Sequence, residues 1–535
     1  MKKIKLTYLS LALALALTGC STTKVVLYNV DTLPLKKEKI SQKQLQRWSH
    51  LDIITDTIPG MSVDKAYSEL LKDKKSTKVI VGIIDSGVDI EHPDLAASVW
   101  TNTKEIAGNG IDDDKNGFID DIHGWNFLGD ITKENLEYER IFKDKSLVDE
   151  ATFKKAKALI DKKINDANEG QTQLESMMMA LNSSDEVLKK ELKKEVYTIE
   201  DLKNVTSTET SVVQSQQIMK QMLSFGLPVA ALKVEIKKEL EGYISALNSD
   251  NLKTNYREIL GDNPNDLTDT KYGNNNVIGP DKGEALHGTH VAGIVAQGRM
   301  NDIGGDGVAS NNVLIMSLRA VPDGDEYDKD IALAIRYAVD NGAKVINGSF
   351  GKSFSPQKQW VYDAIKYAEK KDVLIVHAAG NDAKNIDIED NFPNDSDDKV
   401  TEFADNLITI GALNYEYGEN VVANFSNFGV LNVDVFAPGV QIYATTPENT
   451  YQYLAGTSMA SPNVAGVAAL IRSYYPKLSA SQVKHILMDS GTAINTMVQV
   501  GGRDGEKKQF STLSKSGKIV NAYSALQMAA KMSGK

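Results

Sequence analysis

Residues 78–84 read Lys-Val-Ile-Val-Gly-Ile-Ile, and the run ends on Asp85. A strand with one wet face alternates apolar and polar side chains, whereas an unbroken β-branched run is covered on both faces, as in a parallel sheet. The same texture returns at Val313 to Ser317, Lys344 to Asn347, Val373 to Ala378 and Leu407 to Gly411. Helix-like runs lie between and after them, at His287 to Ala296, Asp330 to Asn341, Ser355 to Lys370, Ser458 to Tyr475 and Ser479 to Ser490. Repeated strand-helix units predict an α/β fold on a doubly wound parallel sheet, with chemistry at the carboxyl ends of the strands. Just upstream, Ser62 to Lys74 predicts a helix with Val63, Ala66, Tyr67, Leu70 and Leu71 on one face and Ser62 as its N-cap.

The alternation breaks between residues 131 and 264, where Glu, Lys, Asn, Gln and Met dominate. Apolar residues recur there at helical spacing: Phe153, Ile160 and Ile164; Leu188, Leu192 and Val196; Leu232, Ile236, Leu240 and Tyr243. Ser183 to Glu186 matches a capping box ahead of the second group. An inserted helical subdomain of antiparallel helices is expected, its charge runs forming solvated faces. The arm enters after Trp125 to Phe127 and returns just before His287, and it is expected either to restrict access to the region around His287 or to assist folding, with a passive surface elaboration as the alternative.

At the N-terminus Lys2, Lys3 and Lys5 precede an apolar run from Leu6 to Leu17. A run of about 12 residues is too short to span a hydrocarbon layer of about 30 Å as a helix, so it reads as an export signal. Residues 17–20, Leu-Thr-Gly-Cys, resemble a bacterial lipoprotein signal, which implies acylation of Cys20 and a lipid anchor in a membrane. No acidic cluster follows Cys20, so the expected location is the periplasmic face of an outer membrane, with the cell surface as the alternative. Residues 21–60 are polar and weakly patterned, a tether or short pro-region. Cys20 is the single cysteine, which excludes an intrachain disulfide. Across 535 residues, 60 Lys and Arg face 72 Asp and Glu, a net charge of −12 that argues against nucleic acid as a partner. The sequence carries no sign of an oligomeric state.

Four segments carry chemistry. Asp85 closes a buried strand and is suited to orienting an imidazole, although such an Asp is commonly structural. Residues 287–293, His-Gly-Thr-His-Val-Ala-Gly, place a candidate general base, His287, at the start of a small-residue helix. Their bland readings are a buried histidine pair or a metal site of His287 and His290. Residues 456–462, Gly-Thr-Ser-Met-Ala-Ser-Pro, put the Ser458 hydroxyl at a helix start, where free backbone N–H groups point at a developing oxyanion. Alone, Ser458 reads equally as an N-cap. Asn381 follows a strand and can add an amide donor there.

Asp85, His287 and Ser458, in that order and within these motifs, resemble the subtilisin-like serine proteases over residues 61–130 and 265–530. The resemblance implies a subtilisin-type sheet and a serine endopeptidase acting on protein or peptide substrates. It implies Ser458 as nucleophile, His287 as base, Asp85 as its orienter and Asn381 as oxyanion donor, with His290 packing rather than reacting. Ser349, Phe350 and Gly351, with Ala378, Ala379 and Gly380, are then expected to border the substrate. The family's usual Met between Asn347 and Ser349 is replaced by Gly348, expected to loosen what reads as an edge strand. Only about 40 residues separate Cys20 from the catalytic region, too few for the family's folded propeptide.

Calcium is the expected cofactor. Asp112, Asp114 and Asn116 match the opening of a calcium loop with Asp120 and Asp121 following, but His123 stands where an EF-hand has Glu, so a shorter oxygen-rich loop is expected. An acidic turn without an ion is the alternative. Asp94 and Asn301 match further family calcium positions. Two other functions remain open at this point: a metal-dependent hydrolase using His287, His290 and the Asp cluster, and a catalytically silent, lipid-anchored binding protein displaying the insertion.

Overall fold

The computed structural model describes residues 39–534 apart from 225, 249–253 and 503–504; the run expected to be an export signal, and Cys20, lie outside the described residues. Its centre is a nine-stranded sheet containing β1 (Val79–Asp85), β2 (Gly124–Asn126), β3 (Val313–Arg319), β4 (Val345–Gly348), β5 (Leu374–Ala378), β6 (Leu407–Leu413) and β7 (Val435–Pro438). A hairpin of β8 (Ile442–Thr446) and β9 (Thr450–Leu454) stands beside it. Strands β10 (Thr492–Ala493) and β13 (Lys518–Ile519) finish one edge, and β11 (Met497–Val500) pairs with β12 (Glu506–Gln509) separately.

The order is β10-β13-β7-β6-β5-β4-β1-β3-β2, and the pairs from β7 to β2 are all parallel. Each of the five apolar runs is a strand. Chain order reverses at β1, which lies between β3 and β4, so the crevice at its carboxyl end is where an open α/β sheet binds ligands. Asp85 is the last residue of that strand. Contrary to the edge-strand expectation, β4 is interior, paired to β1 and β5, and Gly348 is buried. A Cβ there would stand 3.1 Å from the Phe350 ring, so the missing side chain leaves room for that ring to fold back.

The polar N-terminal stretch differs from a tether where it is described. Helix α1 (Gln42–Leu45) leads into Trp48, Ile53, Ile58 and Met61, all buried in the main core, with Trp48 Nε1 donating to the Val440 carbonyl at 2.9 Å. The hydrophobic side chains are spaced irregularly, so they carry no periodic signal. Ser62 holds the N-cap position of the helix but makes no capping bond: its φ is 56° and its hydroxyl accepts from Asn521 Nδ2 at 3.0 Å. Helix α2 (Val63–Lys65) then passes into a π-type turn over Ala66–Leu71.

The insertion is helical, as expected. Among its described residues it contains α3 (Glu137–Lys143), α4 (Glu150–Leu192), α5 (Ile199–Lys203), α6 (Thr210–Leu223) and α7 (Val229–Leu247). At 43 residues α4 is about 65 Å long. It starts at Asp149, which caps Thr152 N, and runs straight through the expected capping box; Ser183 Oγ instead donates back to the Met179 carbonyl. Leu181, Leu188, Leu202, Met219 and Leu232 give the arm its own core. Asp185 meets Lys233 at 2.8 Å, and Gly170 faces the Tyr243 ring, so α4 and α7 are antiparallel. Val196, past the end of α4, and Ile164 are exposed rather than packed.

Both faces of the sheet are covered. Helices α8 (Leu286–Ala296), α11 (Thr457–Tyr474), α12 (Ala480–Asp489) and α13 (Ala522–Met532) contribute to one core, and α9 (Asp328–Asp340) and α10 (Lys358–Lys370) to the other. Among the described residues no helix is long and apolar enough to cross a membrane.

Candidate active site

The catalytic candidates are each placed by the end of an element. Helix α8 approaches the tip of β1 closely because residue 288 is Gly: a Cβ there would lie 2.1 Å from the Gly87 carbonyl and 3.1 Å from Asp85 Oδ1. That approach sets His287 Nδ1 2.7 Å from Asp85 Oδ1. Asp85 is 1% exposed and also accepts from Ser86 N at 2.8 Å, so it has little freedom to turn. Burial on its own disfavours imidazolium, but the Asp85 carboxylate outweighs it and holds the His287 pKa above its ordinary 6.5.

Ser458 is the second residue of α11. Four residues on, Pro462 has no N–H, so the helix leaves the Ser458 carbonyl free of its i+4 donor. Ser349 Oγ donates to that carbonyl at 2.9 Å and accepts from Asn347 Nδ2 at 2.9 Å, while Ser461 Oγ donates to Asn347 Oδ1 at 2.7 Å. This polar chain locks the start of α11 to the end of β4. Ser458 Oγ donates to the Ser349 carbonyl at 3.2 Å, so proton transfer requires it to exchange that acceptor for His287. Catalytic hydrogen bonds commonly tighten in this way on substrate binding.

Asn381 follows β5, and its Oδ1 accepts from Thr457 N at 2.8 Å and Thr457 Oγ1 at 2.9 Å. With the oxygen pinned, Nδ2 is the donor left beside the α11 N-terminus. Asp85, His287, Ser349, Phe350 and Gly351 line a cleft of about 530 Å³ whose opposite wall is Val321 to Glu326. Ala378 and Ala379 are buried and, like Gly380, do not line it; Gly380 N instead donates to Thr457 Oγ1 at 3.1 Å.

His290 faces away from His287. Its Nε2 lies 3.0 and 3.1 Å from the Ile442 and Gln452 carbonyls, and burial lowers its pKa to about 4. The two histidines therefore form no metal site: one is held by Asp85 and the other by the β8-β9 hairpin.

The acidic loop is partly rearranged from expectation. Asp112 and Asp114 converge with Glu105, which the sequence pattern did not mark; one carboxylate oxygen from each lies within 4.8 Å of the others. Asn116 Nδ2 donates to Asp121 Oδ2 at 2.9 Å, and buried Asp121 also accepts from Asn102 and Tyr337. Its pKa is raised by burial. Asp120 accepts from Asn109 N and Gly110 N. Asp120 and Asp121 thus organise the loop rather than joining the three carboxylates. Elsewhere, Asp94 Oδ1 accepts from Gly298 N at 3.0 Å and Asn301 Nδ2 at 2.6 Å, and Oδ2 accepts from Tyr451.

The subtilase family matches residues 76–511. The thermophilic serine proteinase of Bacillus sp. (strain AK1) is 42% identical over 188 residues, 35% of this chain and 42% of that one. Subtilisin DY of Bacillus licheniformis is 38% identical over 219 residues, covering 40% of this chain and 73% of its own. A protease structure from Pseudoalteromonas arctica PAMC 21717 aligns at 28% identity over 45% of this chain and 70% of that one, with a TM-score of 0.38. The chain belongs to the subtilase family, whose chemistry is that of serine endopeptidases.

Proposed function

We propose that the chain hydrolyses peptide bonds through Asp85, His287 and Ser458 by way of an acyl-enzyme. The observation that carries this reading is the 2.7 Å contact between His287 Nδ1 and buried Asp85 in a cleft lined also by Ser349, whose carbonyl accepts from Ser458 Oγ. With Nδ1–H donated to Asp85, the free Nε2 is the basic nitrogen. It takes the Ser458 proton as Oγ attacks the peptide carbonyl, and returns it to the leaving amine. Asn381 Nδ2 and the Ser458 backbone N–H stabilise the oxyanion, and water then repeats the sequence to release the acid. A serine-directed fluorophosphonate tests the reading: it is expected to stop hydrolysis with its adduct on Ser458, and an adduct elsewhere with hydrolysis continuing contradicts it.

Three further features belong to the same proposal. Glu105, Asp112 and Asp114 fit a hard divalent cation, because their carboxylates already converge and calcium takes oxygen ligands. Calcium bound there would tie residues 105–114 together and stay outside the chemistry. The Leu-Thr-Gly-Cys quartet supports an exported protein anchored by lipid at Cys20, on the periplasmic face of an outer membrane. Substrates are proteins or peptides, as membership of the subtilase family implies.

A further inference from the structure

The two walls of the cleft are joined behind it by a buried ionic cluster that includes the insertion. Lys352 directly follows the Ser349 to Gly351 wall. Its ammonium donates to the Glu326 carbonyl, at the end of the opposite wall, at 2.7 Å, and to Glu137 Oε2 of α3 at 2.7 Å; it also lies 2.9 Å from Asp328 Oδ1. Arg140, one turn along α3, donates to the carbonyls of Asp325 at 2.8 Å and Glu326 at 3.1 Å and pairs with Glu137 at 2.6 Å. Glu137 N donates to Asp325 Oδ2 at 2.7 Å. The start of the insertion runs beside the same wall: Asp323 N bonds to the Thr132 carbonyl, and Glu134 N to the Asp323 carbonyl. His377 Nε2 holds the Phe350 carbonyl of the other wall at 2.8 Å.

Glu137, Arg140 and Lys352 are all buried. Apolar contacts suffice to seat a surface arm, and Ile141, Ala156 and Phe354 make such a seat nearby. A buried ion cluster is a weak source of net stability, because desolvation offsets most of its attraction, but its fixed donor directions hold neighbouring backbones in one spacing. Here those backbones are the two cleft walls.

We propose that Glu137, Arg140 and Lys352 are positioning residues that set the separation of the cleft walls, making the first helix of the insertion part of the binding site for extended polypeptide. The proposal rests on the peptidase reading. A substrate that touches both walls over several residues depends on their spacing, whereas a single-residue ester needs little more than Ser458, His287 and the oxyanion donors.

Lys352→Met, Glu137→Gln and Lys352→Arg are compared with wild type in the full chain, each titrated for active sites with a fluorophosphonate. The substrates are a peptide extending at least four residues before the cut and a single-residue chromogenic ester. For Lys352→Met the expected result is a rise in peptide KM of about tenfold or more, with kcat and the ester kcat/KM changed less than about threefold. Glu137→Gln shifts peptide KM in the same direction, and Lys352→Arg recovers most of it. Equal losses on both substrates, or an unchanged peptide KM, overturn the proposal. If none of the variants yields titratable enzyme, the cluster serves folding and the proposal fails. A wild type that neither titrates nor cleaves either substrate fails the peptidase reading itself.

Discussion

Asp85 draws its role from position: at the tip of a buried strand it is 1% exposed, and its nearest ring nitrogen is 2.7 Å away. Because it raises the His287 pKa above 6.5, and because the base must be neutral to act, kcat/KM is expected to fall as pH drops through that raised value and to recover above it. Asp85→Asn removes the charge that raises the pKa and leaves burial, which lowers it. The acid limb of the kcat/KM profile should then move to lower pH while kcat falls by about 10⁴. A limb that stays in place contradicts the assignment. Asn381→Ala is expected to lower kcat by about 10²–10³ with KM little changed, and a pure KM defect counts against an oxyanion role. His287 and Ser458 were legible because each sits in a short motif whose neighbours also matter: Gly288 for the close approach, Pro462 for the freed carbonyl. Lys352 and Glu137 were not, since their meaning lies in each other across 215 residues.

At the scale of elements, strands read well because burial on both faces leaves an unbroken apolar run, and β1 and β3 to β6 appear where such runs lie. Local cap patterns read less well. Ser62 and Ser183 both fit N-cap rules, yet one is bound by Asn521 and the other lies inside a 43-residue helix. In both places tertiary packing overrides a preference worth about 1 kcal/mol. The acidic loop shows the same limit: its Asp spacing was visible, but Glu105 joins only once the chain has turned. Removing calcium with a chelator is expected to lower Tm by several degrees, and Glu105→Gln to shrink that shift. A Tm indifferent to calcium in the wild type rules out the loop as a calcium site.

For the whole molecule, the sheet and its inserted arm followed from alternation and composition, whereas the packing of residues 48–61 into the core did not. Trp48 is 1% exposed, and Trp48→Ala is expected to cost about 3–5 kcal/mol, read as a lower urea midpoint. A change within about 0.5 kcal/mol would return this segment to the role of a tether. Ahead of it, Cys20→Ser is expected to release the protein from membranes and abolish uptake of labelled fatty acid; a variant that still fractionates with membranes argues against the anchor. Peptide hydrolysis through the proposed acyl-enzyme requires Ser458 as nucleophile within an intact fold. Peptide hydrolysis by purified Ser458→Ala, alongside its thermal melt, tests this most directly. The predicted result is a loss in kcat of about 10⁶ with Tm within a few degrees of wild type; turnover retained at a tenth of wild type or more would contradict it.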